Sequence, residues 1–432
     1  MGRSRVLPAL ARRALRGLGP SLLAALGALP LPAQAQAARG FAEVRFQADI
    51  GVDGTWWSLV ERVRPELEAE IVERLHIAVL VEGALTQGRR LHEELERTLR
   101  ASPVGPLLDA CTFPEPDNEV LGVSSAGDYL RVERLYLDLY LPWVDLRLGR
   151  QAVQWGSALL VNPTDPFPEV LLTEPWRFRA GVNALRATFP IGESHDVALV
   201  VGANDDFTAA RIAAKARLGL ESVDLALLGA WRQEAGDGMV GLDIRGTLEV
   251  GYWLEGALFI DEDLRVHEEL AIGLDTSFPV LDSLVVALQY YRNGGGSADV
   301  KPTGALAGGS SLDCPALGVS APEPDPFAPA LRGTDYALLS MMLAAIPELS
   351  VSALWLQNLG DGTGLVVPTV TALPTGWLEV ALAAQVPFQL WGDGGELSPS
   401  DDVLLISLGA ARVDLSGLVP AATLSLWTRV HF

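Results

Sequence analysis

From about residue 67 to the C-terminus, apolar residues recur at every second position in segments of roughly ten residues. In 133–141, Leu135, Leu137, Leu139 and Leu141 share one face, and Arg134, Tyr136, Asp138 and Tyr140 share the other. In 242–250, Leu242, Ile244, Leu248 and Val250 oppose Asp243, Arg245, Thr247 and Glu249. A helix, with its period of 3.6, would not separate these residues, whereas a strand places successive side chains on opposite faces. After residue 37 there is no apolar run of about 18 residues, so no spanning helix is encoded. Yet hydrophobic content is 49% and mean hydropathy is +0.25. High apolar content without long apolar runs fits a large soluble β protein or a barrel whose alternate residues face lipid. The expected fold is all-β, a transmembrane antiparallel up-and-down barrel. Its strands are placed at 67–83, 129–141, 144–156, 177–189, 195–204, 208–218, 222–232, 240–249, 252–260, 265–276, 283–292, 334–345, 349–358, 377–390, 402–413 and 421–432. That makes about sixteen. Residues 43–50 and 363–373 are further candidates, so fourteen to eighteen strands stay open.

The two ends of the chain point the same way. Arg3, Arg5, Arg12, Arg13 and Arg16 precede any acid, an apolar run covers Leu18 to Leu31, and Ala33-Gln34-Ala35-Gln36-Ala37 follows. This order reads as a cleaved signal peptide over residues 1–37. Its removal takes away five arginines and no acid, moving the net charge from −22 to −27. Nucleic acid is excluded as a partner by that charge. Residues 38–66 are expected to be a periplasmic N-terminal segment, with Trp56, Trp57, Leu59 and Val63 at the periplasmic rim, and 67–432 to be the barrel. At the other end Leu424, Leu426, Val430 and Phe432 share a face opposite Ser425, Trp427, Arg429 and His431. A last amphipathic strand ending in Phe432 resembles the sorting signal that outer-membrane barrels present to the barrel assembly machinery.

Strand parity assigns the connections. Counted back from the C-terminus, 84–128, 157–176, 293–333 and 359–376 fall outside, and 142–143, 190–194, 277–282 and 346–348 fall on the periplasmic side. Long outer loops and short inner turns are the usual asymmetry of such barrels. The 391–401 connection is long for a periplasmic turn. The two cysteines, Cys111 and Cys314, both fall in outer loops, which suggests a disulfide in an exported protein.

No enzymatic motif stands out: there is no His-Glu-x-x-His and no Gly-x-Ser-x-Gly. The five histidines, His76, His92, His195, His267 and His431, show no metal-ligand spacing, and no cofactor or metal is implied. The polar strand faces instead carry charge, including Arg134, Asp138, Arg147, Arg211, Asp243, Arg245 and Glu255. Charges on the non-lipid face are tolerated only when the interior is wet or they are paired. Sixteen strands enclose a lumen too wide for side chains to fill.

One stretch stands apart: Gly149-Arg150-Gln151, then Trp155-Gly156, then Asn162-Pro163-Thr164-Asp165-Pro166-Phe167. Alternation fails at Arg150, which suggests a bulge, and Asn-Pro-Thr-Asp-Pro is a rigid turn in which Asn162 and Asp165 can bond nearby amides. These residues resemble the Gly-Arg-Gln … Trp-Gly … Asn-Pro-Thr-Asp signature of a porin-like family of Gram-negative outer-membrane barrels. The likeness covers about 133–190. It implies an outer loop, 157–176, that folds inward and narrows the channel, framed by Gly149, Arg150, Gln151, Trp155, Asn162, Asp165 and Phe167. The turn Asn162–Asp165 is expected to lean on the strand Gly149–Trp155, with Arg147, Arg150, Arg177 or Arg179 pairing with Asp165, Glu169 or Glu174. A purely structural clasp is the competing role for the same residues. The function that follows is an outer-membrane channel for small solutes. A non-conducting structural or surface-interaction barrel is the alternative, and an outer-membrane enzyme a more distant one. Outer-membrane lipid and lipopolysaccharide would surround the barrel, and a homo-oligomer is compatible with it.

Overall fold

The computed structural model describes residues 35–51, 54–89, 122–125, 128–167, 179, 181–203, 210–233, 237–297, 331–392, 394–397, 405–408, 411–414 and 420–432. They form 21 strands, and among the described residues there is no helix. In chain order these are β1 Ala35–Gly51, β2 Thr55–Val72, β3 Leu75–Arg89, β4 Gly122–Ser125, β5 Asp128–Tyr140, β6 Asp145–Gln151 and β7 Val182–Ile191. There follow β8 His195–Ala203, β9 Ala210–Gly219, β10 Val223–Arg232, β11 Asp237–Thr247, β12 Gly251–Ile260, β13 Val266–Phe278 and β14 Ser283–Asn293. The last are β15 Asp335–Ile346, β16 Leu349–Asn358, β17 Thr363–Thr375, β18 Leu378–Gln389, β19 Leu405–Leu408, β20 Ala411–Asp414 and β21 Pro420–His431.

β4 only extends the pairing of β5, and β19 with β20 makes a separate hairpin. The other 18 strands pair antiparallel with their neighbours and close into a ring through β1 and β21, from Phe41↔His431 to Gly51↔Pro420. The fold is therefore a closed all-β barrel. Closure leaves none of these 18 strands with an unpaired side, the condition for a sheet to span lipid.

The barrel is inside-out relative to a soluble protein. Leu148 (58% exposed), Leu227 (64%) and Val240 (59%) stand on the outer face, while Glu255 and Tyr291 on the inner face are fully buried. Such a continuous outer apolar surface is far larger than soluble monomers tolerate, and it matches the lipid-facing band of a membrane barrel. Aromatic residues mark its rims. Trp143 stacks on Phe189 with ring centroids 6.3 Å apart at the short-turn end, and Phe46 stacks on Trp57 at 6.3 Å toward the other. At the closure point Phe432 and Gly40 exchange two main-chain hydrogen bonds, 2.8 and 3.0 Å, and the Phe432 ring lies where a Gly40 side chain would be.

The strand count is 18, at the top of the fourteen to eighteen left open by the sequence, for two reasons. Residues 38–66 are not a separate segment before the barrel but lie in β1 and β2, paired from Ala35↔Ala69 to Ile50↔Thr55. Pro65 and Glu61 interrupt the apolar face of β2 and hide its period. The expected strand 67–83 is in fact two, split at a turn where Arg74 takes a left-handed backbone, φ 74°. Trp56 and Trp57 sit at the long-loop end of β2, not at the periplasmic rim. Residues Thr363–Thr375 are a stave despite Pro368 and Pro374, whereas 402–413 holds the separate hairpin β19–β20 and no stave. The gain of β17 and the loss of 402–413 cancel, so upstream parity is unchanged. The 359–376 connection shrinks to 359–362, and the long 390–419 connection moves to the same rim as 90–127, 152–181 and 294–334. Of the expected signal peptide, residues 1–34 lie outside the described residues, as do Cys111, Cys314 and residues 168–176.

Candidate functional site: a loop bonded across the lumen

The chain leaves β6 at Gln151 and re-enters the wall at β7, and between them it crosses the interior. Gly149 has a left-handed backbone, φ 124°, and this irregularity turns Arg150 into a buried position where alternation would have placed it toward lipid. Gln151 is fully buried and its amide donates to the Ala184 carbonyl at 3.0 Å. Val153, Trp155 and Phe167 then pack on the inner face of β7 to β10, against Ala184, Ala198, Val200, Ala213, Ala226 and Leu228. The small residues of that wall leave the volume that the two rings fill. Gly202 adds to it, since a Cβ there would stand 3.1 Å from the Phe167 ring.

The far side of the crossing is held by Glu255 of β12. Its Oε1 accepts from the main-chain N–H groups of Ser157 and Ala158. Its Oε2 accepts from the Thr164 hydroxyl at 2.9 Å and the Thr164 N–H at 3.3 Å. Gly156, φ 85°, permits this approach, because a side chain there would meet the Glu255 carboxylate at 2.8 Å. Asp243, opposite Glu255 in register on β11, accepts from the Ser157 hydroxyl, and Gln289 of β14 accepts from Leu159 N–H at 2.8 Å. Val161 continues into a second apolar cluster, with Tyr291, Leu331, Tyr336, Leu338, Leu356 and Leu397. The segment 153–167 thus touches the wall from β7 to β16.

The Asn162–Asp165 turn closes with a 3.1 Å main-chain bond from Asp165 N–H to the Asn162 carbonyl. Asp165 pairs with Arg179 at 2.5 Å and accepts from Phe167 N–H at 3.0 Å. Burial pushes the Asp165 carboxyl above its ordinary range, while Arg179 and the N–H groups of Phe167 and Trp155 pull the other way. Of the expected pairs, Arg179 with Asp165 forms. Arg147 instead holds Asp138 across β5 and β6, with contacts of 2.6 and 2.8 Å, and lies 4.0 Å over the Tyr136 ring. Trp155 N–H does reach Asp165 in the turn, but the Thr164 side chain is bonded to Glu255 of β12.

The predicted charged residues therefore separate into groups. Asp243, Glu255, Asp165, Asn162 and Gln151 belong to the loop and its attachment. Arg211, half-buried, and Arg245, exposed, stay on the β9–β11 wall, with Arg245 two residues from Asp243. Arg150 is buried at the end of β6, and Arg134 of β5 belongs to a charged wall formed by β1, β2, β3, β5 and β21, most of which sequence reasoning missed. There Glu43 receives Arg62 at 3.2 Å and Arg429 at 2.6 Å, and Glu82 receives Tyr129 at 2.5 Å and Arg131 at 3.5 Å. Arg64 lies 3.8 Å from Glu82, Arg131 pairs with Glu133, and Arg429 also pairs with Glu379 at 3.2 Å. The alternation Phe41, Glu43, Arg45 against Ala42, Val44, Phe46 was the available signal. Among the described residues no group of three or more acidic, His or Cys side chains is placed to hold a metal ion.

No family profile matches the chain, and no curated protein sequence matches it. Solved structures do. OccK11 (OpdR) of Pseudomonas aeruginosa aligns with a TM-score of 0.52 at 10% identity, covering 91% of this chain and 95% of its own. OccAB3 of Acinetobacter baumannii aligns at 0.52 with 11% identity, covering 91% and 98%. OccK2 (OpdF) of P. aeruginosa aligns at 0.51 with 11% identity, covering 91% and 97%. This chain shares their barrel fold over nearly its whole length.

Proposed function

We propose that the protein is an outer-membrane channel for the diffusion of small polar solutes, narrowed by its own loop 157–176. The observation that carries this reading is the Glu255 attachment, which bonds a loop from the β6–β7 connection to a stave on the far wall inside a closed 18-stranded ring. A ring of that size encloses an aqueous lumen unless something fills it. Here the filling is a short, proline-stiffened segment, and ordering it costs less conformational entropy than ordering a flexible loop. The inner wall supports the same reading, since its arginines and carboxylates need water or each other. The apolar outer face suits lipid, with lipopolysaccharide at the long-loop rim, and the signal peptide and Phe432 suit export and delivery by the barrel assembly machinery. The barrel fold shared with the Occ proteins agrees with a porin-like role rather than an enzymatic one.

The test is conductance of the purified protein in a planar bilayer. The protein should conduct, and deleting 160–172 should raise single-channel conductance. A folded protein that carries no current would overturn the channel. A correctly assembled deletion variant with the parent conductance would overturn the constriction and leave the loop a structural clasp.

A further inference from the structure

The loop that crosses the lumen is not held by the wall alone. Glu396, in the connection between β18 and β21, is 4% exposed. Its carboxylate accepts from Arg332 N–H at 2.6 Å, Gly333 N–H at 3.3 Å, the Asn358 amide at 3.2 Å and the Tyr336 hydroxyl. Its own N–H donates to Asp361 at 2.8 Å, and the next N–H, that of Leu397, donates to the Thr363 hydroxyl at 3.1 Å. Asp361 is fixed in turn by the Asn358 amide at 3.1 Å and by Thr363 N–H at 2.8 Å. One corner, Glu396-Leu397, is thereby bonded to the segment before β15 and to the turn between β16 and β17. Leu331 is tied to the wall separately, through its carbonyl and the Asn293 amide at 2.9 Å. The side chains of Leu397, Leu331 and Val161, one from each of three connections, are buried in a single cluster.

We infer that Glu396-Leu397 is a latch: its seating holds Val161, and with it the constriction loop, against the β13–β16 wall, so that its release widens the pore from a distance. The inference rests on the channel reading above. It assigns control of the constriction to a residue outside the loop that forms it. The physical reason lies in the division of contacts. Ser157, Ala158 and Thr164 are bonded to Glu255 and Leu159 N–H to Gln289 of β14, whereas the Val161 side chain is buried in the apolar cluster to which Leu397 and Leu331 contribute from the other two connections. A carboxylate satisfied by four donors has one well-defined seat, and removing it leaves those donors buried without an acceptor. The corner then leaves rather than stay, and Val161 loses its cover.

The experiment compares the full-length protein with Glu396→Ala and Tyr336→Phe, each checked for barrel folding, by single-channel recording and by limited proteolysis mapped along the chain. Losing a hydrogen bond to a charged acceptor shifts an opening equilibrium by about tenfold or more. Glu396→Ala should therefore show transitions to a wider level at least about tenfold more often, and new cleavage within 157–167. Tyr336→Phe, which keeps the carboxylate, should show a smaller change of the same kind. Cleavage confined to the 390–419 connection, with 157–167 as resistant as in the parent and with unchanged dwell times, would overturn the latch. If the parent protein carries no current, the channel reading fails, whereas the proteolysis arm still decides the coupling between the two loops.

Discussion

Replacing Glu255 with Ala should free the constriction loop while leaving the barrel intact. The carboxylate is fully buried and serves four donors: the N–H groups of Ser157, Ala158 and Thr164 and the Thr164 hydroxyl. A buried donor left without an acceptor costs about 1–3 kcal/mol, so four set a penalty of at least about 4 kcal/mol for keeping the loop in place. That corresponds to roughly a thousandfold rise in the opening equilibrium. The loop avoids the penalty by moving to water. The wall does not share the cost, because the main-chain ladder of β11 to β13 is untouched. It even loses an unfavourable term, since Asp243 and Glu255 are like charges directly opposite in register. The expected result is a larger and noisier single-channel conductance with unchanged resistance to denaturation. Glu255→Gln keeps an acceptor oxygen but not the charge, and neutral hydrogen bonds are about half as strong, so it should fall between. If Glu255→Ala assembles fully and conducts as the parent does, the attachment does not set the pore width and the reasoning is wrong.

Three further outcomes are expected. Phe432→Asp should reduce outer-membrane assembly much more than His431→Asn, because only the former breaks the apolar face of β21; equal assembly of the two would count against a terminal sorting signal. Cys111 and Cys314 should resist thiol labelling in unreduced, denatured protein, and labelling of both would refute the disulfide. Glu61→Leu should stabilise the folded barrel by about 1 kcal/mol or more in a lipid-bilayer denaturation assay, since Glu61 stands on the lipid face between Val44 and Leu85 in register, with Leu59 and Val63 above and below. An unchanged or lower stability would show that Glu61 is solvated or paired in the membrane.

The barrel was legible because a membrane barrel writes its fold in the period of its strands. Where the inner face is charged and the outer face apolar, as in Arg134 to Leu141, two-residue alternation marks the stave and its orientation. It failed where either face departs from that chemistry. In β2 the outer face contains Glu61 and Pro65. In β17 Pro368 and Pro374 suggest a loop, although proline is tolerated where its ring faces lipid and the ladder is otherwise kept. Residues 402–413 alternate well enough to pass for a stave, but alternation only says that a segment can be a strand, not which sheet it joins. Closure decided that point, since β21 pairs with both β18 and β1 and leaves no place between them.

The site was legible in part for a different reason. The Gly149–Phe167 stretch announced itself by breaking the local rules, with a failed alternation and clustered prolines, and those irregularities are what a chain needs to leave the wall and cross the lumen. What it bonds to was not visible. Glu255 and Asp243 looked like ordinary inward charges at the right spacing, and nothing local separates a carboxylate that lines water from one that grips a main chain 91 residues away, as Glu255 grips the Thr164 N–H. The wall that receives Trp155 and Phe167 was equally silent, because its signature is the smallness of Ala184, Ala198, Ala213 and Ala226, and small inward residues read as weak strand rather than as reserved volume. Local pattern encodes which face a side chain takes. Which inward residues meet one another depends on strand order around the ring, and that is fixed only when the last stave pairs with the first.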